Sequence, residues 1–197
     1  MAEHPDTVLV QRCLDGDLET YGLLVDRYSG RLISLAAMMI GNRHDAEDVA
    51  QDAFVRAFKA LGSFQRRAKF SSWLTQIALN LCKDYLKSKS RHARSVEEEH
   101  LSEVGDETRT RAPELIQQSE LSEKMRECVA GLPYLYREAF VLRHLHGEEY
   151  DEIAELTRTT PDTARVRAHR ARELLRELLS PSVSTFWREK AAKDGPR

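Results

Sequence analysis

Between Thr160 and Arg172 the stretch TPDTARVRAHRAR sets four arginines and a histidine within thirteen residues. An arginine side chain is a planar fork of N–H donors that matches phosphates and guanine edges, so such a cluster points to anion recognition rather than to bond making. At 100° per residue, Ala164, Ala168, Ala171, Leu175 and Leu178 fall within about 40° of one direction and form an apolar face. Arg165, Val166, His169 and Arg170 take the opposite arc, Arg167 and Arg172 lie at its flanks, and Thr163 sits in the first turn. The basic side chains crowd toward the N-terminal half, the end that a recognition helix inserts into a major groove. Thr160 suits an N-cap, Pro161 the first helical position, and Asp162 the positive end of the helix dipole.

A second cluster surrounds Phe64, where LGSFQRRAKFSSWLTQIALNLCKDYLKSKSR interleaves Arg66, Arg67, Lys69, Lys83 and Lys87 with Phe64, Phe70 and Trp73. Cations neutralise phosphates while aromatic rings stack on unpaired bases, so the mixture suits nucleic acid. The same aromatics also read as core residues, and spacing alone leaves both readings open.

Catalytic patterns are missing from the sequence. There is no P-loop, G-x-S-x-G or H-E-x-x-H. His144 and His146 lie about 200° apart on a helix, which does not suit a shared metal. Cys13, Cys82 and Cys128 are far apart with no C-x-x-C, which suggests small buried apolar residues rather than disulfides or zinc ligands. No enzyme activity, cofactor or metal is expected.

The formal net charge of −2 conceals a strong partition. From Gly62 to Arg94, eight Lys/Arg face the single acid Asp84, a balance of +7, whereas Val96 to Glu123 holds nine acids against Arg109 and Arg111, a balance of −7. The acidic stretch has few large apolar residues and no helical period, so it reads as a flexible linker between two domains. The start MAEHPDTVLVQRCLDGD lacks a basic and apolar leader pattern, and no apolar run approaches the roughly 20 residues of a membrane span. A cytoplasmic protein without stable membrane insertion of its own is expected.

These features require helices to carry them. Strand alternation is nearly absent, and the spacing predicts an all-α protein with helices over Asp6 to Leu14, Leu18 to Ile40, Asp45 to Leu61 and Phe70 to about Ser88. A short helix is expected between Leu115 and Leu132, followed by Tyr136 to His146, closed by Gly147, and by YDEIAELT before the basic helix. In DAEDVAQDAFVRAFKAL, with Asp45 as the expected N-cap, Ala46, Val49, Ala50, Ala53, Phe54, Ala57 and Leu61 form one apolar face. Asp48, Gln51, Asp52, Val55, Arg56 and Lys59 take the other, a face that spacing alone assigns to solvent. Two short helices, the second of them basic, have the form of a helix-turn-helix. The expected layout is an N-terminal domain 1–94, linker 95–122, C-terminal domain 123–180 and tail 181–197, where Phe186 and Trp187 suit an anchor.

Taken together, DAEDVAQDAFVRAFKALGSF, FSSWLTQIALNLCKDYL, LPYLYREAFVLRHLHGEEYDEIAEL and TPDTARVRAHRAREL resemble, in that order, the extracytoplasmic-function (ECF) group of bacterial sigma factors. The resemblance implies that Asp48, Gln51, Asp52, Val55 and Arg56 dock on core RNA polymerase. It implies that Phe64, Arg66, Arg67, Lys69, Trp73, Asn80, Lys83 and Lys87 hold the minus-10 element of promoter DNA. Thr163, Arg165, Val166, Arg167, His169, Arg170 and Arg172 would then face the minus-35 element, and an anti-sigma factor is an implied partner. The sequence departs from the family at Arg66-Arg67, where Gly-Glu is common, at Glu149, where Ser or Thr caps the first helix, and at Arg158, where Gly is common. A positive φ at Arg158 would strain the turn. The rival reading is a non-sigma helix-turn-helix regulator with a helical sensor domain.

Overall fold

The structure is a computed structural model that describes residues 5–64, 69–97 and 123–193, with side chains described for 5–64, 69–92 and 123–179. The chain divides into two units, Met1–Ser119 and Glu120–Arg197. Among the described residues every regular element is helical. The linker reading and the basic pair Arg66 and Arg67 lie outside the described residues.

The first unit contains α1 (Asp6–Leu14), α2 (Thr20–Ile40), α3 (Arg43–Ala60) and α4 (Phe70–Glu97), with a 3₁₀ turn at Leu61–Ser63. Helices α2, α3 and α4 pack on one another and α1 lies on α2. Their apolar stripes meet in a core where Leu9, Leu24, Leu35, Met39, Leu74 and Leu79 are fully buried, each such side chain stabilising by roughly 1.5–3 kcal/mol. Asp6, in the first turn of α1, is held by Arg27 and Tyr28 of α2.

The junction between α2 and α3 corrects one expectation. Asn42, not Asp45, caps α3: its side chain accepts from the backbone N–H groups of His44 at 2.8 Å and Asp45 at 3.2 Å. Asn serves this position as well as Asp, and it directly follows Gly41, whose φ of 83° ends α2. Asp45 is left one turn inside, where its carboxylate accepts from the Tyr85 hydroxyl and ties α3 to α4. Helix α4 also runs to Glu97, nine residues beyond the expected end at Ser88.

The second unit contains α5 (123–130), α6 (Tyr134–Phe140), α7 (Tyr150–Thr157) and α8 (Pro161–Lys193). Helix α6 widens into a π turn over Val141–Leu145, which the 3.6-residue period did not predict. Gly147, at φ 70°, then reverses the chain, as its position suggested. Val129, Leu132, Ala139, Val141, Leu142 and Ile153 pack against a row of alanines on α8, Ala164, Ala168 and Ala171, each 0% exposed.

Leu175 completes that row at 4% exposed, but Leu178, expected to belong to it, is 48% exposed. Helices α6 and α7 have seven and eight residues, only about 10–12 Å of helix, so α8 outruns the surface that covers it. The backbone of α8 continues through Pro181 to Lys193, so the expected tail 181–197 begins as an extension of this helix. Cys13 and Cys82 are buried as expected, while Cys128 is only half-buried.

Alanine rows leave no room for longer side chains. Ala168→Leu should lower the stability of the second unit by about 1–3 kcal/mol, measured by urea unfolding, whereas Arg172→Leu on the exposed side should change it by less than about 0.5 kcal/mol.

Candidate nucleic-acid interface

Helices α7 and α8 are joined by Arg158, Thr159 and Thr160. Arg158 ends α7 at φ 52° and ψ 53°, and the Thr159 N–H donates back to the Ala154 carbonyl at 2.9 Å. The position therefore does require the left-handed conformation, and a side chain occupies it at a cost of about 1–2 kcal/mol. Thr160 then caps α8 as expected, its hydroxyl accepting from the Thr163 N–H at 3.2 Å. Glu149 proves a serviceable cap for α7, because it forms a capping box in which the Glu152 carboxylate accepts from the Glu149 N–H at 3.4 Å.

Seated by its alanines, α8 turns Arg165, Val166, His169, Arg170 and Arg172 outward, while Thr163 and Arg167 are half-buried. Val166 is 66% exposed, an apolar side chain placed among cations where a thymine methyl would be a suitable contact. The arc is internally paired: Arg165 meets Asp162 at 2.9 Å, and Arg170 meets Glu173 at 2.8 Å, with His169 Nδ1 3.7 Å from the same carboxylate. The hydrogen bond from Arg170 holds the Glu173 carboxyl below its ordinary range. Three-residue spacing on a helix made these pairs legible, but the sequence reading gave neither acid a role.

Two further residues escaped the sequence reading. Arg143, in the π turn, donates to the Glu148 carbonyl at 2.9 Å, pairs with Glu149 at 2.9 Å and lies 4.7 Å from the centre of the Tyr150 ring. Arg165 reaches the same ring from α8, at 5.3 Å. Nothing in the spacing announces a cation over a ring when the partners belong to different helices. His144 packs on Phe140 at 4.9 Å, and burial, followed by the charges of Arg172 and Arg143, lowers its pKa. Among the described residues no group of three or more metal-ligating side chains occurs.

In the first unit Trp73, Asn80 and Lys87 lie seven residues apart, steps that return within about 20° on a helix, and Lys83 lies on the same side. Asn80, Lys83, Lys87 and Lys69 are exposed and Trp73 is half-buried. Phe64 and Phe70 are buried at 9% and 3% exposure. Their rings form one cluster with Trp73: Phe64 to Trp73 is 5.0 Å, Phe64 to Phe70 5.9 Å and Phe70 to Trp73 5.8 Å. The open choice between base-stacking and core is thus resolved toward packing for Phe64 and Phe70. Their contact fastens the chain on both sides of residues 65–68.

Helix α3 mirrors α8. Ala46, Ala50, Ala53 and Ala57 are at most 2% exposed, while Asp48, Gln51, Asp52, Val55 and Arg56 face outward. Beside this face an apolar cleft of about 580 Å³ opens between α2 and α3, lined by Tyr21, Val25, Ile33, Phe54, Val55 and Phe58 among others. The Tyr21 hydroxyl donates to the Phe54 carbonyl at 2.8 Å and its ring meets Phe58 edge-on at 4.9 Å, so the cleft wall is fixed. Burial pushes the Tyr21 pKa up to about 12.

Two helical units, one with a basic helix-turn-helix and the other with a cationic helix beside an aromatic cluster, define a DNA-binding protein of the transcription machinery. Residues 24–92 match sigma-70 region 2 and residues 122–175 match sigma-70 region 4. The chain is 35% identical over 187 residues to the ECF RNA polymerase sigma-E factor of Escherichia coli strain K12, an alignment covering 90% of this chain and 96% of that relative. Its identity to the sigma-E factor of Haemophilus influenzae is 34% over 191 residues, covering 92% and 99%. Among solved structures, CnrH in complex with the cytosolic domain of CnrY aligns with TM-score 0.64 and 26% identity over 88% of this chain and 96% of that one. RpoE of Bartonella quintana, solved with the anti-sigma factor NepR, shares the fold at TM-score 0.65, with 21% identity over 81% and 96%. This chain belongs to the ECF sigma factors. It binds core RNA polymerase, directs it to promoters and assists their melting. The region 2 match leaves no place for the rival sensor domain.

The turn residue provides a direct check. Arg158→Gly should relieve the left-handed strain and raise stability by about 0.5–1 kcal/mol after the greater entropy of glycine in the unfolded chain is subtracted, a gain visible as a higher thermal midpoint.

Proposed function

We propose that the exposed faces divide the work of initiation. Asp48, Gln51, Asp52, Val55 and Arg56 on α3 dock on core polymerase. Lys69, Trp73, Asn80, Lys83 and Lys87, with Arg66 and Arg67 from the intervening segment, hold the minus-10 strand, and Phe64 fixes the base of that segment. Thr163, Arg165, Val166, Arg167, His169, Arg170 and Arg172 engage the minus-35 element. Arg165 and Arg170 suit base edges, and Arg167 and Arg172, at the flanks, suit phosphates. The observation that carries this assignment is the exposed basic arc of α8 set opposite a fully buried alanine row.

The chain on this reading performs no covalent chemistry: the polymerase makes RNA, and the sigma factor positions it. It works in the cytoplasm, where polymerase and chromosome meet, and no described helix is long and apolar enough to cross a membrane. The complex of the 26%-identical CnrH with the cytosolic domain of CnrY supports an anti-sigma partner for this chain too. Such a partner acts by covering polymerase-binding or DNA-binding surface.

Transcription with purified core polymerase on a promoter library tests the assignment. A defined pair of promoter elements should be enriched, and recovery of transcripts without any shared element would remove the promoter-specific reading. Arg170→Ala should cost about 1–3 kcal/mol at its base and relax selection there, while Lys87→Ala should weaken binding across sequences and reduce the salt slope by about 1. Uniform weakening by Arg170→Ala would reassign that residue to phosphate.

A further inference from the structure

Tyr150 opens α7 and is half-buried, yet its ring is approached by guanidinium groups from two other elements. Arg143 comes from the π turn at 4.7 Å, and Arg165 from the first turns of α8 at 5.3 Å. Arg143 is itself fastened at 2.9 Å to both the Glu148 carbonyl and the Glu149 carboxylate. The ring is therefore held from the inner side by a cation that cannot easily move, and it offers its π surface to one that can: Arg165 has a side chain 61% exposed. Asp162 draws the same guanidinium from along α8 at 2.9 Å.

Resting on the minus-35 reading above, we propose that Tyr150 is a positioning residue for base recognition: it holds the Arg165 guanidinium in the plane and direction from which it meets a base edge. A free arginine has several rotatable bonds and loses that freedom on binding. A ring that stacks the planar fork in advance reduces the loss and narrows the directions in which its N–H groups point. Asp162 alone fixes charge but not the orientation of the fork, since one exposed carboxylate can be approached from several directions. The ring supplies the missing constraint, and it couples the turn before α7 to the recognition surface of α8.

The test uses holoenzyme and promoter duplexes that vary one base at a time across the upstream element, with binding measured in competition. Arg165→Ala identifies the base read by Arg165 as the position where discrimination is lost. Tyr150→Leu should reduce discrimination at that same base by about two- to fivefold, the size expected of an exposed cation–ring contact, and leave other positions unchanged. Tyr150→Phe, which keeps the ring and loses the hydroxyl, should restore discrimination, and Tyr150→Leu should add nothing in the Arg165→Ala background. Thermal unfolding of each variant distinguishes this from a damaged fold, because a structural defect would weaken all duplexes alike. If Arg165→Ala leaves every preference intact, base reading by Arg165 falls and positioning falls with it. If Arg165→Ala removes discrimination while Tyr150→Leu preserves it, or if the two effects add, only the positioning role is overturned.

Discussion

Close packing along rows of alanine is the constraint on which both units depend. In α3 the row is Ala46, Ala50, Ala53 and Ala57, and in α8 it is Ala164, Ala168 and Ala171, all at most 2% exposed. A methyl side chain lets helix backbones approach closely, so a helix seated in this way needs only a narrow arc to hold it. The remaining arc projects well clear of the core. That is the geometry required of a helix that must enter a groove or lie against a large partner, and the chain uses it for both of its most exposed polar faces.

Such seating has a consequence for rigidity. Alanines bury little area, so the position of each helix must be fixed at its ends and edges. For α3 this falls to the Gly41–Asn42 corner, the bond from Tyr85 to Asp45, and the Tyr21 hydroxyl on the Phe54 carbonyl. For α8 it falls to the Thr160 cap and to the strained Arg158 turn, in which the geometry of the corner overrides the preference of the residue that occupies it. The aromatic cluster of Phe64, Phe70 and Trp73 does the same for the entry to α4.

Periodicity made most of this legible. The alanine rows, the outward arginines, the Thr160 start and the positive φ demanded of Arg158 all follow from residue type and a 3.6-residue repeat. The misses share a cause: they depend on where another element ends or lies. Leu178 continues the apolar period of α8 but has no neighbour to cover it. Asn42 and Asp45 are equally good caps by type, and only the preceding Gly41 turn selects the former. The π turn, the cleft between α2 and α3, and the pair of guanidinium groups over Tyr150 arise from tertiary juxtaposition, which a one-dimensional repeat does not encode.

The acids on α8 then acquire a meaning beyond solubility. Asp162 and Glu173 bracket the basic arc and occupy Arg165 and Arg170 in the free protein, with His169 beside Glu173. Exposed pairs of this kind contribute about 0–1 kcal/mol each, because water competes for both partners. They are strong enough to bias rotamers and weak enough to surrender an arginine to a guanine edge or a phosphate, where charge-assisted and bidentate contacts exceed what is given up. A nonspecific phosphate offers less of that excess than a well-placed base. The intramolecular acids therefore subtract most, in relative terms, from binding to the wrong sequence, and so favour discrimination at the expense of raw affinity.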